Sequence, residues 1–351
     1  MLRDYLINHL LMVDYKKLIM NKNMKSFKYH NTNISDKSFL ITGGAGFIGS
    51  NLVEYLINNE AGLVRVLDNL SNGYIKNIDK FMNCKNFEFI NGDIRDFNTC
   101  KKAVEGINYV SHQAALGSVP RSVKDPILTN EVNISGFLNI LTAVRDSTSL
   151  KKFVYAASSS TYGDSIILPK IEGAEGNPLS PYAITKLVNE LYAEVFFKIY
   201  ELPTIGLRYF NVFGPKQNPQ NPYAAVIPLF CQSILEGKNP VIYGDGKTSR
   251  DFTFVENVVQ ANIKSLLSEN LHTHIVFNVA CGESTSLNQI IEKLNEFSGQ
   301  TIKPIYKDER KGDIKHSLAS IQLIKEMLNY KPCISFQDGL RIAFEEYKTI
   351  M

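Results

Sequence analysis

The chain has 351 residues, 44% of them hydrophobic, a formal charge of +3 and five cysteines. That is ample material for a core and too little charge to call for a nucleic-acid partner. No stretch reaches the roughly 18 apolar residues of a membrane span. Cys84, Cys100, Cys231, Cys281 and Cys333 are scattered without C-x-x-C spacing, which fits reduced thiols in a cytoplasmic protein.

Residues 1–36 read as an N-terminal helical extension. Tyr5, Ile7, Leu10, Leu11, Leu18 and Ile19 give an amphipathic pattern, followed by a polar linker rich in Asn and Lys. Asp4 and Asp14 flank the apolar Leu10 to Val13 and no small-residue cleavage site follows, so no signal peptide is expected. A translation start at Met20 or Met24 is the other reading of this segment.

Phe39 to Ile41 is a short apolar run that predicts a buried strand. Thr42-Gly43-Gly44-Ala45-Gly46-Phe47-Ile48-Gly49 follows, and Leu52, Val53, Leu56 and Ile57 then recur at helical spacing. Strand, glycine turn and helix is the context in which such a string holds a dinucleotide. The glycines let the backbone approach a pyrophosphate, and the helix N-terminus offers unpaired N–H groups. A second apolar run, Leu63 to Leu67, ends in Asp68, about 20 residues after the last glycine. A carboxylate there accepts from both adenosine ribose hydroxyls and repels a 2′-phosphate, so NAD is expected rather than NADP.

Further strands are expected at Phe87 to Ile90, Ile107 to Val110, Phe153 to Ala156, Thr204 to Tyr209 and Ile275 to Val279. Helical patterns separate them, Asn133 to Val144 and Pro181 to Tyr200 being the clearest. The alternation predicts a Rossmann-like, doubly wound parallel α/β sheet over 37–211, with a contribution from about 254–280. Beyond Asn211 prolines and glycines rise, and 212–351 reads as a smaller domain binding the substrate. Asp93, past the third strand, lies where it meets the adenine. His112 is read as a satisfied core residue, and the small Ala114 and Ala115 leave room for a cofactor. His272 and His274 stand at i, i+2 with no third ligand nearby. They read as a solvated loop, and no metal is expected. The Pro181 to Tyr200 pattern is apolar nearly all round, so its second face is expected to pair with a sister subunit in a four-helix bundle.

Tyr182 and Lys186 stand one helical turn apart and point to one face. A phenol with a pKa of about 10 is a poor base at pH 7, and bringing it there takes roughly 4 kcal/mol of differential stabilisation. An ammonium and the positive nicotinamide ring are the two expected contributors. Ala157 to Gly163, after the fifth strand, supplies hydroxyls that can bond the reacting oxygen beside the tyrosine.

From about Phe39 to Ala343 the chain resembles the extended short-chain dehydrogenase/reductase family. The likeness is carried by the glycine string, Asp68-Asn69, Gly92-Asp93-Ile94, Ser158 with Tyr182 and Lys186, Arg208 to Asn211, and Arg250-Asp251-Phe252. Where sugar 4,6-dehydratases carry an Asp-Glu pair, and UDP-glucuronate decarboxylases a Glu, this chain has Ser159-Ser160. An elimination therefore lacks its acid and base. The strings Ala114 to Ser122, Tyr155 to Asp164, Leu179 to Lys186 and Tyr223 to Pro228 look most like UDP-N-acetylglucosamine 4-epimerases of bacterial surface-polysaccharide synthesis, and Val255-Glu256-Asn257 departs from the wider V-x-D in the same way.

The resemblance implies a mechanism. Tyr182 as phenolate takes the C4 hydroxyl proton while hydride passes to NAD, Ser158 bonds that oxygen, and Lys186 holds the nicotinamide ribose and lowers the tyrosine pKa. The 4-keto sugar rotates and hydride returns to its other face, so NAD stays bound. Cofactor contacts are implied for Gly43, Gly46, Phe47, Ile48, Gly49, Asp68, Asn69, Asp93, Ile94, Gln113, Ala114, Ala115, Asn133, Tyr182, Lys186 and Tyr209. Substrate contacts are implied for Gly117, Ser118, Arg121, Ser158, Ser159, Ser160, Asn211, Gln217, Ala225, Val226, Tyr243, Arg250, Arg310, Asp313 and Ser317. Ser317, where glucose-restricted relatives carry Tyr, leaves room for an N-acetyl group. The matching C6 carboxylates are the alternative substrates, with Arg121 the candidate to meet a uronate. A non-catalytic NAD-binding protein of the same fold is the alternative from another class.

Overall fold

In a computed structural model, which describes residues 27–219, 225–309 and 315–350, seven strands form one parallel sheet. They are β1 (Ser38–Thr42), β2 (Leu63–Asp68), β3 (Phe87–Asn91), β4 (Tyr109–His112), β5 (Lys152–Ser158), β6 (Thr204–Tyr209) and β7 (His274–Val279). Their order across the sheet is β7-β6-β5-β4-β1-β2-β3. By its contacts the chain divides into Met1–Thr32 and Asn33–Met351, and the whole sheet lies in the second unit. The helix expected within residues 1–36 falls outside the described residues.

Phe39, Leu40 and Ile41 are wholly buried, as a strand covered on both faces requires. The chain winds outward from β1 in both directions, so β1 and β4 are neighbours joined by no direct crossover. A crevice opens beyond the carboxyl ends of two such strands, and ligands of these sheets bind there.

The helices are α1 (Phe47–Asn58), α2 (Phe97–Val104), α3 (Val119–Lys124), α4 (Pro126–Asn130), α5 (Gly136–Arg145), α6 (Pro181–Tyr200), α7 (Val226–Leu235), α8 (Val255–Leu266), α9 (Leu287–Ser298), α10 (Gln322–Leu328) and α11 (Phe336–Ile350). α6 begins where the sequence expects it, because Ser180 caps it by accepting from Ala183 N–H at 3.1 Å and Pro181 follows. α8 packs on the sheet and β7 is its edge strand. α7, α9 and α11 enclose a second core built on Phe213, Phe230, Phe254, Leu294, Leu340 and Phe344.

Three local expectations change. β4 starts at Tyr109, since Ile107 N–H closes a turn onto Val104. The helix expected from Asn133 begins earlier, at Pro126, and carries a π-helical stretch at Glu131–Ser135 before α5. His274 is no loop residue: it opens β7, bonds Thr204 Oγ1 at 2.7 Å, and burial lowers its pKa to about 4. His112 is a core residue, 2% exposed and bonded to Thr42 Oγ1 at 2.9 Å. Asn257 gives a physical reason for the departure from V-x-D. Its amide donates to Ile334 O at 2.8 Å while its oxygen accepts from Cys333 N–H at 2.8 Å, and a carboxylate has no donor for the first bond.

Candidate active site

Beyond the carboxyl ends of the strands lies a cleft of about 520 Å³. At one end are Asp68, Asn69, Asp93 and Ile94; the glycine turn forms its floor; Ala156 to Ser159, Tyr182 and Lys186 close the other end.

The turn is set by contacts between bare backbones. A Cβ on Gly43, which has φ +67°, would stand 2.7 Å from Ala114 N; one on Gly49 would stand 2.2 Å from Gly43 O. A Cβ on Gly46 would meet only Gly43 O, at 3.1 Å. α1 starts at Phe47 without a side-chain cap, and Phe47, Ile48 and Gly49 line the cleft with the first-turn N–H groups. Asp68 accepts from Ala45 N–H at 2.9 Å and Leu70 N–H at 2.8 Å, which fixes its carboxylate at the cleft. Burial raises its pKa, and those two bonds oppose the rise. Asp93 is held by Asn69 and by Arg95, whose hydrogen bonds and charge bring its pKa down to about 2.

At the other end Ser158 finishes β5 and begins a short 3-10 turn. Its Oγ accepts from Ser160 Oγ at 2.9 Å and from Ser160 N–H at 3.2 Å. With both lone pairs engaged, its own proton is left to donate toward the Tyr182 phenol, whose pKa it acts to lower. Tyr182 N–H in turn donates to Ser122 Oγ of α3 at 3.0 Å, which orients the start of α6. Lys186 is 3% exposed and donates to Ala156 O at 2.7 Å; burial lowers its pKa to about 8. Burial raises the Tyr182 phenol and Ser158 opposes this, while the Lys186 ammonium is turned to Ala156 O. One turn along α6, Glu190 takes a forked pair of bonds from Arg208 of β6, at 3.0 and 2.7 Å, and the guanidinium lies 4.9 Å from the Tyr162 ring.

Gln113, Ala114, Ala115, Gly117, Ser118, Arg121, Tyr209, Asn211, Gln217 and Ala225 also line the cleft. Tyr209 OH, Gln113 and Asn262 form one hydrogen-bonded wall, and buried Gln217 Oε1 has no partner among the described residues. Ser160 stands behind Ser158, and Val226 opens α7. Asn133 does not reach the cleft: the π-helical stretch turns its amide to Leu116 N–H at 2.8 Å and to Thr185 Oγ1 at 3.1 Å. Tyr243 lies on a short outer strand, Val241–Tyr243, paired with Ile305–Lys307. Arg250 donates to Ser249 O and Lys315 O, and Ser317 N–H to Ser249 O, so both belong to a strip beside the cleft wall rather than to the wall itself. Arg310 and Asp313 lie outside the described residues.

The sequence reading missed Asn72, Tyr74, Lys216 and Asn218, all on the wall. Asn218 bonds Tyr74 OH at 2.7 Å and Arg121 bonds Asn72 Oδ1 at 3.1 Å, so the loop after β2 is tied to both sides. Lys216 bonds Glu54 of α1 at 2.7 Å, and its N–H donates to Glu346 of α11 at 2.9 Å. Their signal was present in the polar, turn-rich segments that follow two strands.

The chain matches the NAD dependent epimerase/dehydratase family over residues 39–280. A UDP-N-acetylglucosamine 4-epimerase from Methanobrevibacter ruminantium, solved with UDP-N-acetylmuramic acid, is 40% identical with a TM-score of 0.85, covering 90% of this chain and 99% of that one. A UDP-glucose 4-epimerase from Thermotoga maritima is 35% identical with a TM-score of 0.83, covering 89% and 99%. A UDP-glucuronic acid 4-epimerase from Bacillus cereus, solved with UDP-glucuronic acid and NAD, is 31% identical with a TM-score of 0.83 over the same shares. The chain belongs to the NAD dependent epimerase/dehydratase family, among its UDP-sugar 4-epimerases. The cofactor is NAD, and the bare Gly46, the uncapped start of α1 and the fixed Asp68 carboxylate are the features a dinucleotide requires.

Two neighbouring glycines separate fold from cofactor. Gly46→Ala is expected to melt within a few degrees of wild type yet purify without NAD, because its methyl meets only Gly43 O, at 3.1 Å, at the cleft. Gly49→Ala, driven into Gly43 O, is expected to lose folded stability itself. Calorimetry with quantitation of released NAD reads both; loss of stability in Gly46→Ala would contradict the assignment of that space to the dinucleotide.

Proposed function

We propose that the protein interconverts UDP-GlcNAc and UDP-GalNAc by reversible inversion at C4 through a 4-keto sugar, serving surface-polysaccharide synthesis from the cytoplasm. The observation that carries the reading is the Ser158, Tyr182 and Lys186 set at the cleft end, with serines at the two positions where an elimination needs its carboxylates. Ser158, its lone pairs engaged by Ser160, donates to the C4 oxygen. Tyr182 exchanges the C4 hydroxyl proton, and Lys186 keeps hydrogens free beyond the one given to Ala156 to hold the nicotinamide ribose. When bound, NAD would supply the reversible two-electron exchange at C4 and a positive charge that favours the phenolate. Asn211, Gln217 and Ala225 on the wall, with Arg250 beside it, are assigned to the uridine diphosphate. Ser317 leaves space at the C2 substituent. Arg121 in the cleft wall favours the second reading, epimerisation of the corresponding uronates.

A homodimer belongs to the same proposal. Ile184, Leu191, Val195 and Ile199 form an exposed stripe on α6, and Val119, Val123 and Ile127 lie exposed on α3 and α4, which pack against it. Sedimentation is expected to give a dimer at micromolar concentration; monomer alone would remove this part.

Incubated without added NAD, the purified protein is expected to convert UDP-GlcNAc to UDP-GalNAc and to leave the uronate unchanged. Tyr182→Phe is expected to lower that turnover about 100- to 10,000-fold with NAD retained. Product separation decides, and wild-type rates in Tyr182→Phe would sink the assignment. Ser317→Tyr is expected to abolish turnover of the N-acetylated sugar while sparing UDP-glucose; equal loss on both would defeat the role given to Ser317.

A further inference from the structure

Asp251 is wholly buried, and among the described residues no cation pairs with it. Its carboxylate instead collects backbone donors from two distant segments. Oδ1 accepts from Cys281 N–H at 3.0 Å; Oδ2 accepts from Gly282 N–H at 3.0 Å and Ala319 N–H at 3.2 Å. Burying an unpaired carboxylate costs several kcal/mol, which three N–H bonds offset in part. Packing alone does not account for a charge at this position.

What the carboxylate joins gives the reason. Ser249–Arg250, just before it, forms the middle of a narrow strip. Thr285–Ser286 pairs with it antiparallel on one side, and His316 bridges Ser249 on the other. Ser317 N–H donates to Ser249 O at 3.1 Å, and Arg250 Nη1 to Lys315 O at 3.2 Å. Asn211, on the cleft wall, donates to Asp251 O at 3.0 Å. One residue therefore fastens the ends of both flanking segments and the cleft wall to the same point.

We propose that Asp251 is a positioning residue for the UDP-sugar: by tying the 281–282 turn and Ala319 to the end of the Ser249–Arg250 ribbon, it sets where Arg250 and Ser317 stand relative to Asn211. This rests on the UDP-sugar reading above. The three donors demand the ionised form, while burial and the charge of Glu283 oppose it and raise its pKa to about 7. The other titratable groups around it are the Cys281 thiol and the Tyr330 phenol, both pushed up by burial and neutral through this range, and His316 across Ser249. Protonation places an O–H where an N–H points, so the grip loosens as pH falls through about 7.

The holoenzyme is assayed with UDP-GlcNAc, and its affinity for UDP is measured by calorimetry at pH 8. Asp251→Asn, keeping its amide oxygen toward Gly282 and Ala319, presents an NH₂ group to the Cys281 donor. It is expected to raise KM and weaken UDP binding about tenfold, the loss of one good buried bond, with kcat within about twofold and NAD content unchanged. A folded variant with unchanged KM and UDP affinity overturns the proposal, as does a fall in kcat at constant KM. If the variant does not fold, the wild-type profile decides. KM is expected to rise severalfold from pH 8 to pH 6, also in His316→Gln, and a flat KM overturns the proposal. If wild type binds UDP with this dependence on Asp251 but leaves UDP-GlcNAc unchanged, the substrate reading fails and the positioning role stands.

Discussion

The site depends on a place where backbone meets backbone with nothing between. Gly43, Gly49 and Ala114 come together where β1 and β4 diverge, and any side chain on either glycine would force that junction apart. The peptide of Ala45 is then held on both sides. Its N–H goes to Asp68, and its carbonyl accepts from Asn77 Nδ2 at 2.8 Å and Tyr74 N–H at 3.0 Å. The Asp68 carboxylate, expected from the sequence to meet the adenosine ribose, thus also keeps the turn in shape.

Much of this was legible in the sequence because the signals were local. Strand runs flanked by glycine, the Ser180-Pro181 start of α6 and the i, i+4 spacing of Tyr182 and Lys186 each depend on neighbours in the chain. What stayed hidden depends on distant partners. Asn133 looked like a cofactor contact until the π-helical stretch turned it to Leu116 and Thr185. Arg250 has the right charge for a phosphate, yet its place beside the wall is fixed by Lys315, which no spacing rule connects to it. The Lys186 ammonium meets a strand carbonyl, a partner that its spacing from Tyr182 does not announce. Side-chain direction, unlike helical phase, is not written in the spacing.

The two ends of the site are secured by different physics. Beneath the catalytic helix, Arg208 and Glu190 form a buried, hydrogen-bonded ion pair one turn from Lys186, and Arg208 also reaches Glu175. Burial raises the Glu190 pKa and the Arg208 bonds oppose the rise, so removing Arg208 would leave a buried carboxylate uncompensated. Beside the cleft, Asp251 holds its segments without a counter-charge. The proposed catalytic end therefore rests on a paired charge, and the strip proposed for the substrate on an unpaired one.

Lys216 carries a consequence of a different kind. It joins the helix that follows the glycine turn to the last helix of the chain, through Glu54 and Glu346, while Tyr347 OH donates to Gln217 O at 3.0 Å. The segment that follows β6 is thus stapled to residues more than a hundred positions away. A substitution in the last helix that displaces Glu346 would therefore be felt at α1, the helix that follows the glycine turn.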